Sequence, residues 1–154
     1  MQKRLEVADY FWLSARLFVG IILAYAGFMK LMEPRGNFEF ALQNYPLIPD
    51  SVIPLLSGVI PWMEWILGIF LIVGYAPRIA ALFSSLLFLV FVVLIGLNLV
   101  GGKVIDNCGC FGERGIKLSP ILAFFLDAGA FALSVLLLLK GYFPFSIQAW
   151  FKGK

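Results

Sequence analysis

Four long apolar runs constrain this chain more than any other feature: residues 11–31, 53–74, 77–100 and 119–139. Crossing a bilayer as a helix takes roughly 20 mostly apolar residues at about 1.5 Å rise each, and each run is long enough. The runs show no alternation of period two, so the reading is helices rather than barrel strands. Composition agrees, with 62% of the 154 residues hydrophobic and 14% charged. An average soluble domain is about half apolar and a quarter charged, and so large an excess leaves too little polar surface to coat a globule. The expected fold is an all-α integral membrane protein: one domain over residues 1–154, a bundle of four transmembrane helices.

The first run follows Lys3 and Arg4 and could be read as a signal peptide. It is longer than a typical signal core and ends in no small-residue cleavage site, so we read it as an uncleaved first span. Orientation follows from Lys and Arg in the short flanks. Both termini and the second connection carry Lys3, Arg4, Arg78, Lys140, Lys152 and Lys154, against Lys30, Arg35, Lys103, Arg114 and Lys117 on the other side. Arg16, early in the first span, is expected to snorkel toward the terminal side and widen that margin. The expected arrangement is multi-pass in a bacterial inner membrane, with both termini cytoplasmic and the third connection periplasmic or extracellular.

Within the spans, small residues and acids stand out. Gly20, Ala24 and Gly27 recur at a spacing that lets a neighbouring helix approach closely. Ala80, Ala81, Ser84 and Ser85 form a similar face on the third span. Between the first two spans, Phe38, Phe40, Ala41, Leu42, Tyr45, Leu47 and Ile48 alternate with polar groups. That pattern suits a short interfacial helix ended by Pro46 and Pro49. Asp50-Ser51 is expected to cap the second span, and Pro61 to kink or loosen it. Glu64 lies deep in the second span, where a bare carboxylate is expensive. Lys30 is the nearest cation on paper, and a structural Lys30–Glu64 tie competes with a proton-handling role for Glu64. Ser119-Pro120 reads as an N-cap with an N1 proline. Asp127, about two turns further, is a second intramembrane acid that could share a site with Glu64.

Both cysteines of the chain, Cys108 and Cys110, fall in the glycine-rich third connection, separated only by Gly109. Thiols at i and i+2 point to opposite faces of a regular strand, but a flexible glycine permits a turn that joins them. So small a ring is strained, and strained or exposed disulfides tend to be the labile ones. Lys103, Arg114, Lys117 and the start of the fourth helix favour the thiolate, whereas Asp106 and Glu113 oppose it. Three other readings stay open. The pair can be a static brace, a Cu(I) site completed by Met29, Met32 and Met63, or incidental. With no histidine in the sequence, histidine-ligated metals and a Cys–His nucleophile pair are excluded within this chain.

The chain resembles the MauE/DoxX family of redox-associated membrane proteins, in its MauE-like branch, over nearly its whole length. The residues that carry the likeness are Arg16-Leu17, Gly20, Gly27 and Lys30-Leu31 in the first span. They continue through Phe38 to Tyr45-Pro46-Leu47-Ile48-Pro49, then Pro61-Trp62-Met63-Glu64 with Leu67-Gly68. Asp106-Asn107-Cys108-Gly109-Cys110-Phe111-Gly112 completes them. In the fourth span, Leu126 precedes Asp127 where relatives often have an arginine. The resemblance implies a four-helix bundle with a part in periplasmic thiol–disulfide chemistry. Relatives in the methylamine-utilisation setting are implicated in maturing a disulfide-rich subunit beside a thioredoxin-like partner. The expected function is therefore a relay. Cys108 and Cys110 are the catalytic pair, and Arg16, Lys30, Glu64, Asp106, Arg114 and Asp127 support it. Its partner is a periplasmic thioredoxin-fold protein, and a quinone between the helices near Glu64 and Asp127 is a candidate onward carrier. The competing classes are a non-enzymatic scaffold or assembly factor with a structural disulfide, and a Cu(I)-handling protein. No metal ligand set is assigned, no nucleic-acid partner is expected beside the lipid bilayer, and self-association is left open.

Overall fold

A computed structural model describes residues 7–45, 47–101, 110–112, 115–116 and 118–140. Among them every regular element is helical: α1 Val7–Leu31, α2 Arg35–Gln43, α3 Ile53–Val73, α4 Pro77–Val100 and α5 Pro120–Leu139. All but α2 are long and apolar enough to span a membrane. This is the all-α, four-span architecture the sequence implies.

Local chemistry sets the helix ends. Ser119 caps α5 by accepting from the Leu122 amide at 3.4 Å, with Pro120 following as the sequence indicates. The α3–α4 turn places Gly74 at φ 76° and Ala76 at φ 42°, both left-handed, and Pro77 then starts α4. The start of α3 departs from expectation. Its N-cap is Val52 rather than Asp50 or Ser51, and no side chain caps it. A turn closed by Val52 N–H to the Pro49 carbonyl leads in, and the Val52 carbonyl accepts from Leu55 and Leu56. Pro54, in the first turn, has no amide hydrogen to satisfy, which reduces the need for a side-chain cap. α3 continues through Pro61 to Val73.

The spans associate as two pairs, α1 with α3 and α4 with α5, which meet along α1–α5 and α3–α4. Between α1 and α3 the backbones touch. A Cβ on Gly27 would lie 2.5 Å from Trp65 N and 2.6 Å from the Pro61 carbonyl oxygen; one on Gly68 would lie 2.7 Å from the Gly20 carbonyl oxygen. The small-residue stripe of α1 is thus a close-packing face, as its spacing suggests. Val19, Leu23, Leu71, Ala81, Phe88 and Leu137 form the centre of the core. Large apolar side chains such as Phe18, Ile66, Val90, Phe125 and Leu139 face outward. That is the inside-out surface a hydrocarbon solvent accepts.

Helix α2 closes the end of the bundle where α1 stops. Phe38 and Leu42 are buried while Phe40 is exposed. The Ser57 hydroxyl of α3 donates to Glu39 Oε1 at 2.9 Å, and Asn98 Nδ2 of α4 reaches the Asn44 carbonyl at 3.5 Å. These contacts make α2 a lid on this end of the bundle, joined to both α3 and α4. At the opposite end Lys140 Nζ lies 3.7 Å from Asp9 Oδ1 and 4.6 Å from the centre of the Trp12 ring.

Candidate functional site

Beneath α2 the structure assembles a compact polar cluster in an apolar bundle. Lys30, in the last turn of α1, donates to both carboxylate oxygens of Glu64, at 2.6 and 2.8 Å. Both side chains are sealed, at 0% and 1% exposure. The glycine seam explains the contact: Glu64 itself lies against Gly27, its Cβ 3.0 Å from where a Cβ on that glycine would sit, and Lys30 follows one turn along α1. The ammonium also lies 4.9 Å from the Phe38 ring centre and 5.1 Å from that of Phe91. Two aromatic faces therefore complete its surroundings, a desolvated setting in which cation–π attraction is strongest. Breaking such a buried pair from one side leaves an uncompensated charge.

Cys110 is buried, in a cluster with Ala26, Tyr45, Ile95, Phe111 and Ala123. Its Sγ donates to Asp127 Oδ2 at 3.9 Å, a reach that suits sulfur's larger radius. Asp127 is itself 3% exposed. Lys30 and Cys110 both line a small cavity of about 20 Å³, with Phe38, Tyr45, Phe91 and Leu94 among the rest of its wall. Such a volume holds about one water.

Glu64 accepts from Lys30 and Asp127 from Cys110, and Lys30 and Cys110 both line the cavity. Arg16 corrects the sequence reading. It is 2% exposed and turns into the bundle instead of snorkelling to a surface. The exposed faces of α1 are occupied by Phe11, Phe18 and Ile21, while position 16 shares the inward side with Ala15, Val19 and Gly20. Cys108, Asp106 and Arg114 lie outside the described residues, as do Lys103, Glu113 and Lys117. Among the described residues no group of three Cys, Asp or Glu side chains is placed to hold a metal. Met32 and Met63 are exposed, and no methionine lines the Cys110 cavity.

One member of the site was not singled out from sequence. Glu33, just past α1, is 7% exposed and folds over the loop after Cys110. A Cβ on Gly112 would lie 2.8 Å from Glu33 Oε1, and Gly112 adopts φ +73°. Both observations require glycine there. Glu33 lies just past the first span, and the loop it contacts is almost 80 residues further along the chain.

Comparison with known proteins adds the following. The family described as "Methylamine utilisation protein MauE" matches residues 8–141. A curated MauE from Methylophilus methylotrophus is 32% identical over 107 residues, 70% of this chain and 55% of the relative. MauE from Paracoccus denitrificans is 28% identical over 104 residues, 68% of this chain and 55% of the relative. The chain thus spans about half the length of the curated relatives it matches. No solved structure is a significant match.

Proposed function

This chain belongs to the MauE family, and from that premise we propose that it is a membrane component of thiol–disulfide exchange on the periplasmic side of a bacterial inner membrane. Its four spans hold a Cys108–Cys110 pair at the outer face, with both termini cytoplasmic. The partner is a periplasmic thioredoxin-fold protein, with which the pair forms a mixed disulfide and then resolves it. A pair of thiols carries two electrons but does not move them across the bilayer. A lipid-soluble carrier such as a quinone, docking on the bundle surface, completes the circuit.

The observation that carries this reading is the setting of Cys110. A cysteine packed only to fill space has no use for a buried carboxylate at its sulfur and a lysine lining the same cavity. Perturbing groups of this kind collect at reactive cysteines. At 8% exposure Cys110 is out of reach of a partner protein, which makes it the resolving thiol and Cys108 the one that meets the partner. The test is single replacement by serine in the full chain. Cys110→Ser should accumulate a mixed disulfide with the partner, and Cys108→Ser should not. A pair that stays oxidised in strongly reducing buffer, or traps no adduct in either variant, overturns the relay.

One observation favours a second reading. Cys110 and Phe111 sit in an apolar cluster with Tyr45 and Ile95, and Phe111 lies 5.9 Å from Tyr25, ring centre to ring centre. This anchoring also suits a non-enzymatic scaffold whose braced loop docks an assembly partner. Partner binding that survives loss of both cysteines is the result that selects it.

A further inference from the structure

The contact between Cys110 and Asp127 bridges the loop and the membrane-buried part of α5, and the relay as described gives Asp127 no task. Resting on that relay, we infer that Asp127 is the proton acceptor and donor for Cys110. The carboxylate lies at hydrogen-bond reach of the sulfur, 3.9 Å from Oδ2. A buried thiol gives up its proton most readily to a group already in place at its sulfur. Among the described residues, the other ionisable groups near the cavity have contacts of their own. Lys30 of α1 holds both oxygens of Glu64 of α3, Glu33 lies against Gly112, and Glu39 of α2 accepts from Ser57. Tyr45 lines the cavity, and α4 places no ionisable side chain on it.

The step balances as follows. The Cys108 thiolate attacks a partner disulfide, forming a mixed disulfide and releasing one partner thiolate. Cys110 then passes its proton to Asp127 Oδ2, and its sulfur attacks that of Cys108. The Cys108–Cys110 bond forms, the bond to the partner breaks, and the second partner thiolate leaves and is protonated. Two electrons have moved from the cysteine pair to the partner disulfide, which is reduced to a dithiol. In the reverse direction Asp127 returns a proton to Cys110 as its sulfur departs.

The experiment uses the full chain in lipid nanodiscs, with glutathione disulfide as oxidant. Acid quenching and alkylation count the remaining thiols across mildly acidic to mildly alkaline pH. Asp127→Asn should slow closure of the pair by about 10²-fold at neutral pH, the scale of a positioned general base. The deficit should shrink as pH rises and the thiol ionises unaided. Asp127→Ser removes the carboxylate with a different packing footprint, its hydroxyl able to bond the carbonyl one turn back as Ser134 does to Ala130 at 2.8 Å. It should give the same pH-dependent deficit. In a Cys110→Ser background, Asp127→Asn should leave the first step, mixed-disulfide formation at Cys108, unchanged. Variants that match the wild type at every pH, or that lose rate equally at every pH, overturn the role of Asp127 alone. A wild-type pair that does not exchange with glutathione disulfide at all overturns the relay itself.

Discussion

The two helix pairs solve the same packing problem in opposite ways. Along α1–α3 side chains are absent where the helices cross, so Gly20, Gly27 and Gly68 set backbone on backbone. Along α4–α5 side chains mediate the approach. A Cβ on Gly96 would meet only the Phe124 ring, at 3.3 Å, and one on Gly129 would meet nothing within 4 Å. The pair holding the Lys30–Glu64 contact is the one with no slack. Lipid supplies no hydrophobic drive between helices, so fit and polar contacts must hold them together. A rigid seam fixes the length of the Lys30–Glu64 bond. The looser pair carries Asp127, whose contact to sulfur is longer and tolerates movement.

Breaking the ion pair should have the largest effect. Lys30→Met leaves Glu64 buried without its cation and should cost about 3–5 kcal/mol in a denaturant titration from mixed micelles, while adding Glu64→Gln should recover much of it. Gly27→Ala comes next. Its methyl group would press on the backbone of α3 and should cost about 1–3 kcal/mol in the same titration. A cost near zero would show that the seam has slack after all. Gly112→Ala forces a methyl into a left-handed position beside Glu33 and should lose about 1–2 kcal/mol, read as faster proteolysis of the loop. Ser119→Ala removes the α5 cap and should cost about 1 kcal/mol. Gly129→Ala should stay within about 0.5 kcal/mol of wild type. If it cost as much as Gly27→Ala, the contrast between the pairs would fail.

Much of this was legible in the chain because the responsible forces act locally or repeat regularly. Hydrocarbon length fixed the spans to within a few residues, and the spacing of Gly20, Ala24 and Gly27 marked a close-packing face. The Lys30–Glu64 contact was readable because two oppositely running helices joined by a short connection must be neighbours, and Lys30 was the nearest cation to Glu64 on the adjacent span. Arg16 was misplaced because a lone arginine near a span end is compatible with either face, and only the packed neighbours decide. Val52 took the cap position because the Pro49–Val52 turn is settled by backbone hydrogen bonds that polar side chains do not advertise. Glu33 and the Asp127–Cys110 contact depend on how distant segments meet, and no local pattern encodes that meeting.

The lysine–glutamate contact has an electrical consequence. Membrane voltage exerts about 2.3 kcal/mol per 100 mV on an elementary charge moved across the whole field. An ammonium and a carboxylate 2.6 and 2.8 Å apart form a couple with no net charge, and the field finds almost nothing in them to push. A change of membrane voltage therefore exerts little net force on this pair.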